Sequence, residues 1–147
     1  MKKSRGFSLI EILIVVALLS LFVFPLYFSY IRSQANQALV ASAESVADVV
    51  RSAHVFAREA RDAKKWGVRS EGERGYALVS GTGENYQVAK MYSLEPMVDF
   101  EKGFFVVFEI GVGGTENGYQ INLVNRYKRR MVVEILSSGV VEVGNVE

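Results

Sequence analysis

The sequence predicts an α+β protein: one long N-terminal helix packed on a C-terminal antiparallel β-sheet domain. Three observations predict it. Residues 7–30 hold 19 apolar residues out of 24, whereas residues 31–147 hold 53 out of 117, an ordinary share for a globular body. Residues 31–63 contain no Gly or Pro and carry an amphipathic helical stripe. From Gly75 onward the pattern changes to short alternating runs separated by glycine-rich turns. The chain has 147 residues, with 17 basic and 16 acidic side chains and no cysteine. Balanced charge offers no support for a basic nucleic-acid module or an acidic disordered chain. Without cysteine there is no disulfide framework, thiolate metal site or cysteine nucleophile.

The first element is the apolar segment. Lys2, Lys3 and Arg5 precede it with no acid to offset them. As a helix, 24 residues span about 36 Å, enough for a bilayer core of roughly 30 Å. The positive-inside rule keeps the N-terminus cytoplasmic and exports the body. Tyr27 and Tyr30 fall at the far end, where amphipathic rings favour the interface. A secretory signal peptide has an apolar core of about 7–15 residues and a small-residue cleavage site. This run is longer and ends Tyr27-Phe28-Ser29-Tyr30. A plain anchor fits the length, but Glu11 argues against it. An ionisable group in a lipid-facing helix costs at least about 2.5 kcal/mol, so it calls for a partner. Nothing else in the segment can pair with Glu11, and cleavage between Gly6 and Phe7 would free an amine four residues before it. Ser20 can back-bond to its own helix, and Pro25 predicts a kink or a locally melted turn.

Lys2-Lys3-Ser4-Arg5-Gly6, then Phe7-Ser8-Leu9-Ile10-Glu11, then the apolar run, resembles the N-terminal signal of type IV prepilins and type II secretion pseudopilins. The basic leader, Gly6 at the cut, Phe7 after it and Glu11 at the fifth mature position all match. The resemblance implies that a prepilin peptidase cuts after Gly6 and N-methylates Phe7. It implies that Glu11 then pairs with the Phe7 amine of a neighbouring subunit as pilins leave the inner membrane for a fibre. Major pilins often carry a helix-breaking Pro at mature position 22, here Phe28; Pro25 stands three residues earlier.

The exported helix follows. Leu39, Val46, Ala53 and Ala60 repeat every seven residues, flanked by Val49, Val50, Phe56, Ala57 and Ala63. Lys64-Lys65 before Trp66-Gly67 reads as a helix C-terminus, cations at the negative dipole end and then Gly. The reading is a leader over 1–6, an assembly helix over 7–30, its amphipathic continuation over 31–66 and a β domain over 67–147, with one helix of about 55 residues. His54, the sole histidine, reads as a helix-surface or domain-contact residue.

Candidate strands are Tyr76–Ser80, Tyr86–Tyr92, Phe104–Ile110, Tyr119–Val124, Arg130–Leu136 and Val140–Val143. Ser137-Ser138-Gly139 reads as a tight turn joining the last two in a hairpin. In outline the body resembles the H-type pseudopilins and FimT-like minor pilins. Phe56-Ala57-Arg58-Glu59-Ala60, Phe108–Gly111 opening a glycine-rich loop, Tyr119–Leu123 and Ser138–Val143 carry that likeness. It implies a minor subunit rather than the bulk one.

No catalytic constellation is visible, and the expectation is a structural protein, not an enzyme, with no cofactor or metal. Gly111-Val112-Gly113-Gly114 lacks the Lys-Ser/Thr of a phosphate loop. Asp99, Glu101, Glu116 and Asn117 are not spaced as a calcium loop. Arg126, Tyr127, Lys128, Arg129 and Arg130 form the one basic cluster, with an aromatic inside it. It reads either as a solvated loop or as a patch that holds DNA phosphates and stacks a base. Loss of residues 1–6 removes three cations, leaving 14 basic against 16 acidic residues, a net charge of −2.

Overall fold

The computed structural model describes residues 7–146. They divide into two compact units, one ending at Gln34 and the other starting at Ala35. Helix α1 (Leu9–Arg58) supplies the first unit and opens the second.

In the first unit the helix is unbroken through Pro25, so the locally melted turn expected there is absent. Proline removes one donor, that for the Leu21 carbonyl, and the flanking turns retain theirs. Ser20 Oγ donates to the Ala17 carbonyl at 2.8 Å, the expected back-bond.

In the second unit α1 buries Ala35, Leu39, Ser42, Ala43, Val46, Ala47, Val49, Val50, Ala53 and Ala57. The predicted stripe is therefore the core face as far as Ala57. Ala60, expected to continue the heptad, is exposed and left-handed (φ 50°).

The helix ends at Arg58, earlier than the Lys64–Gly67 stop predicts. A short 3-10 turn (Arg61–Ala63) follows, and Ala60, Asp62 and Ala63 all have positive φ. Lys65, Trp66 and Gly67 instead open strand β1 (Lys65–Glu71). β1 is an interior strand, paired on both sides, with Trp66 opposite Ser80 and Phe108. Two ladders of backbone hydrogen bonds, together with burial of Trp66 and Val68, outweigh one more helical turn. The Trp66 indole N–H donates to the Arg61 carbonyl at 3.1 Å, and its ring meets Phe56 edge-on at 5.0 Å.

The other strands are β2 (Gly75–Thr82), β3 (Asn85–Ser93), β4 (Val98–Phe100), β5 (Phe105–Phe108), β6 (Tyr119–Asn125), β7 (Arg130–Ile135) and β8 (Val141–Val146). They form two antiparallel four-stranded sheets, ordered β3-β2-β1-β5 and β4-β6-β7-β8. All six predicted strands are present, and the predicted hairpin is β7–β8, closed by the Leu136–Val140 backbone bond at 2.9 Å. β1 and β4 were not foreseen: β1 carries three charged residues, and β4 is only three residues long. β5 stops at Phe108, before the predicted Ile110.

Polar bonds tie the strands to the helix. Tyr76, fully buried in β2, shares a hydrogen bond with Ser45 of α1 at 2.9 Å. Its ring stacks on Tyr92 at 5.3 Å and meets Phe100 edge-on at 5.9 Å. The Ser42 hydroxyl accepts the Glu95 backbone N–H at 3.1 Å. Among the described residues no buried side-chain nitrogen or oxygen lacks a partner.

Candidate assembly segment and basic turn

Gly6 and the leader lie outside the described residues. Phe7 is 76% exposed, and the helix starts two residues later. Glu11 stands in the first helical turn, where its backbone N–H donates to the Ser8 carbonyl at 3.0 Å. That position favours a carboxylate, because the orphan N–H groups of the first turn carry partial positive charge. Ser8 and Glu11 also have the Ser-x-x-Glu spacing of a helix start. Glu11 has no ion-pair partner among the described residues. Every large apolar side chain from Phe7 to Phe28 is exposed. A helix apolar on all sides needs lipid or other helices to cover it.

The basic cluster is the turn between β6 and β7. Arg126, Tyr127, Lys128, Arg129 and Arg130 are all exposed. Asn125, only 3% exposed, builds the turn. Its Oδ1 accepts the backbone N–H groups of Tyr127 and Arg129, each at 3.0 Å. Its carbonyl accepts the Lys128 N–H at 2.8 Å, and its own N–H donates to the Arg129 carbonyl at 3.0 Å. Lys128 sits at φ 62°, the left-handed position that closes a three-residue hairpin loop. Asn125 Nδ2 donates to Asn36 Oδ1 on α1 at 3.0 Å, and the Arg126 N–H donates to the Met97 carbonyl at 3.1 Å. The turn is thus held on the helix side and on the β4 side.

The cations in it are not equivalent. Arg130 pairs with Glu101 at 2.9 Å. Arg126, Lys128 and Arg129 make no ion pair among the described residues. Asp99, weighed above as a metal ligand, instead pairs with Arg74 at 2.6 Å; the Asp99 hydrogen bond and charge hold the Arg74 guanidinium above its ordinary range. Sequence reasoning located this cluster but missed Asn125 as its builder. An Asn at the end of an apolar strand, just before a polar run, is the signature that marks it.

His54 is half-buried on α1, its ring 5.6 Å from that of Phe108. It is the expected domain-contact residue. It also lies against Gly113 and Gly139, which have φ of 71° and 85°. A Cβ on Gly113 would fall 2.6 Å from the His54 Cδ2. The glycine-rich loop and the β7–β8 turn therefore close over this imidazole.

A cavity of about 340 Å³ lies beside the exposed edge of β5, lined by Lys65, Tyr86, Phe105, Glu109, Glu116 and Tyr119 among others. Lys65 and Glu109 pair across it at 2.6 Å, and the Glu109 hydrogen bond holds the ammonium above its ordinary range. Among the described residues no three His, Cys, Asp or Glu side chains converge as metal ligands.

Residues 1–27 match the family model of the prokaryotic N-terminal methylation motif. No curated protein and no solved structure matches the chain. The matched stretch ends inside the apolar helix and contains Gly6, Phe7 and Glu11. The chain carries a type IV pilin-like prepilin signal at its N-terminus.

Proposed function

We propose that the protein is a structural subunit, a minor pilin or pseudopilin. A prepilin peptidase cuts it after Gly6 and N-methylates Phe7. Its N-terminal helix anchors it in the inner membrane, body exported, and later packs with other pilin or pseudopilin subunits in a type IV pilus or type II secretion pseudopilus. The observation that carries this reading is Glu11. It is an acid in the first turn of a helix whose large apolar side chains are all exposed as far as Phe28, four residues after the residue that follows Gly6. In a fibre core, Glu11 and the Phe7 amine of a neighbour neutralise one another. Each alone is costly there, and removing one strands the other. The test is the mature N-terminus. Sequencing and mass analysis of the membrane-extracted protein give methylated Phe7 as the first residue. A chain that still begins at Met1 contradicts the proposal.

A second reading is a DNA-uptake minor pilin that binds DNA through Arg126, Tyr127, Lys128, Arg129 and Arg130. Three exposed cations that make no ion pair among the described residues, around a tyrosine, favour it. Affinity that does not weaken with salt, or that survives neutralising these side chains, refutes it.

A further inference from the structure

We propose that the β6–β7 turn docks on anionic phospholipid headgroups at the exported face of the membrane, through Arg126, Lys128 and Arg129. The docked turn holds the body against the bilayer before the subunit is assembled. This inference rests on residues 7–30 spanning the membrane.

Three observations carry it. The first is where the turn is tied. Asn125, which builds it, is bonded to Asn36, six residues beyond Tyr30. Six residues reach at most about 20 Å even when extended, so chain length alone keeps Asn36 close to the end of the span. The headgroup layer adds several ångströms on each side of the hydrocarbon core, which shortens the gap further. The second is charge placement. Four of the 14 basic residues after position 30 fall within 126–130, although residues 31–147 carry 15 acids and a net charge of −1. Two acids on that side are already engaged: Asp99 by Arg74 and Glu101 by Arg130. That leaves Arg126, Lys128 and Arg129 to face an external anion.

The third is the form of the patch. It is one hairpin tip, held in shape by four hydrogen bonds to Asn125. A preformed tip loses little conformational entropy on docking. A membrane plane needs only a point of contact, whereas a nucleic acid is tracked by an extended groove with several stacking rings. This turn offers one tyrosine. The same cations therefore suit a charged plane better than a polymer.

The chain has no cysteine, so a single one can be introduced for labelling. Asn145→Cys places a fluorophore at an exposed position opposite Met131, beside the foot of the turn. The full chain is reconstituted into vesicles of phosphatidylcholine, alone or with a third of it replaced by phosphatidylglycerol. Both contain a lipid with a nitroxide on its headgroup. Each basic residue near an anionic surface favours association about fivefold, so three raise the docked-to-undocked ratio roughly a hundredfold. The expected result is quenching in the anionic vesicles only. It fades at about 1 M salt, where the screening length is near 3 Å. It is lost in Arg126→Gln/Lys128→Gln/Arg129→Gln and retained in Arg126→Lys/Arg129→Lys. Equal quenching in both vesicle types, or quenching that survives the triple substitution, overturns the proposal. So does a duplex oligonucleotide that binds through the same three residues while lipid composition has no effect. Carbonate extraction of each sample separates the two levels of failure. A chain washed out of the bilayer refutes the spanning helix and this inference with it. A chain retained without lipid dependence refutes this inference alone.

Discussion

Asn125 and Asn36 join the β6–β7 turn to the helix through one carboxamide pair at 3.0 Å. The same Asn125 side chain accepts the Tyr127 and Arg129 N–H groups. One buried amide thus fixes both the shape of the basic turn and its place on α1.

Asn125→Ala removes all three side-chain bonds and leaves backbone donors beneath an exposed loop. We expect a loss of about 2–3 kcal/mol, within the range for unsatisfied buried groups. Asn125→Asp keeps the acceptor for the two N–H groups and loses only the donor to Asn36, so its loss is smaller. Urea unfolding of the two variants checks the order; equal losses contradict the division of roles.

The contact between His54 and Gly113 predicts a coupled pair. Gly113→Ala adds a Cβ that runs into the imidazole, and the residue must also hold a left-handed φ. Backbone strain alone accounts for roughly 1–2 kcal/mol. Overpacking adds about 1–3 kcal/mol. In a His54→Ala background the second part disappears. A double-mutant cycle by thermal or urea unfolding measures it, and additive losses refute the contact.

Tyr76 gives the alkaline limit a named source. Burial raises its pKa above the ordinary tyrosine value, partly opposed by the hydrogen bond to Ser45. The folded state then keeps its proton at a pH where the unfolded chain has lost it. Stability from this group is complete below about pH 10 and falls as pH rises through the folded-state value. Tyr76→Phe removes the Ser45 bond, worth about 1 kcal/mol near neutrality, and flattens this part of the alkaline decline. Stability measured from pH 8 to 12 tests both effects. Lys65, raised by Glu109, declines in the same direction, so it is left unchanged in the comparison.

Glu11→Ala separates insertion from assembly. Without the carboxylate the helix enters a bilayer at least as readily, since an ionised group there costs about 2.5 kcal/mol or more. Membrane retention and cleavage after Gly6 are expected to persist, while incorporation into fibres, read by shearing or cross-linking, falls sharply. Normal fibre incorporation refutes the pairing role.

Much of this was legible in local patterns. An apolar run with Glu11 at its start is a statement about solvent, readable without coordinates. The helical stripe from Leu39 to Ala57 and the β7–β8 hairpin repeat at 3.6 and 2 residues, so composition and spacing were enough for them. Lys65–Glu71 was not legible, because its charges and Gly67 match a helix terminus better than a strand. Only pairing with β2 and β5 makes it the interior of a sheet.

The sequence by itself determined the membrane-length helix, the prepilin-type start with its acid, and an antiparallel body resting on an amphipathic stripe. Each follows from side-chain hydrophobicity and local period. The tertiary structure decided where the helix stops, how the strands divide into two sheets, and which groups meet across 31 residues (Ser45 and Tyr76) or 89 residues (Asn36 and Asn125). Those outcomes depend on long-range hydrogen bonds and close packing, which leave no periodic trace along the chain.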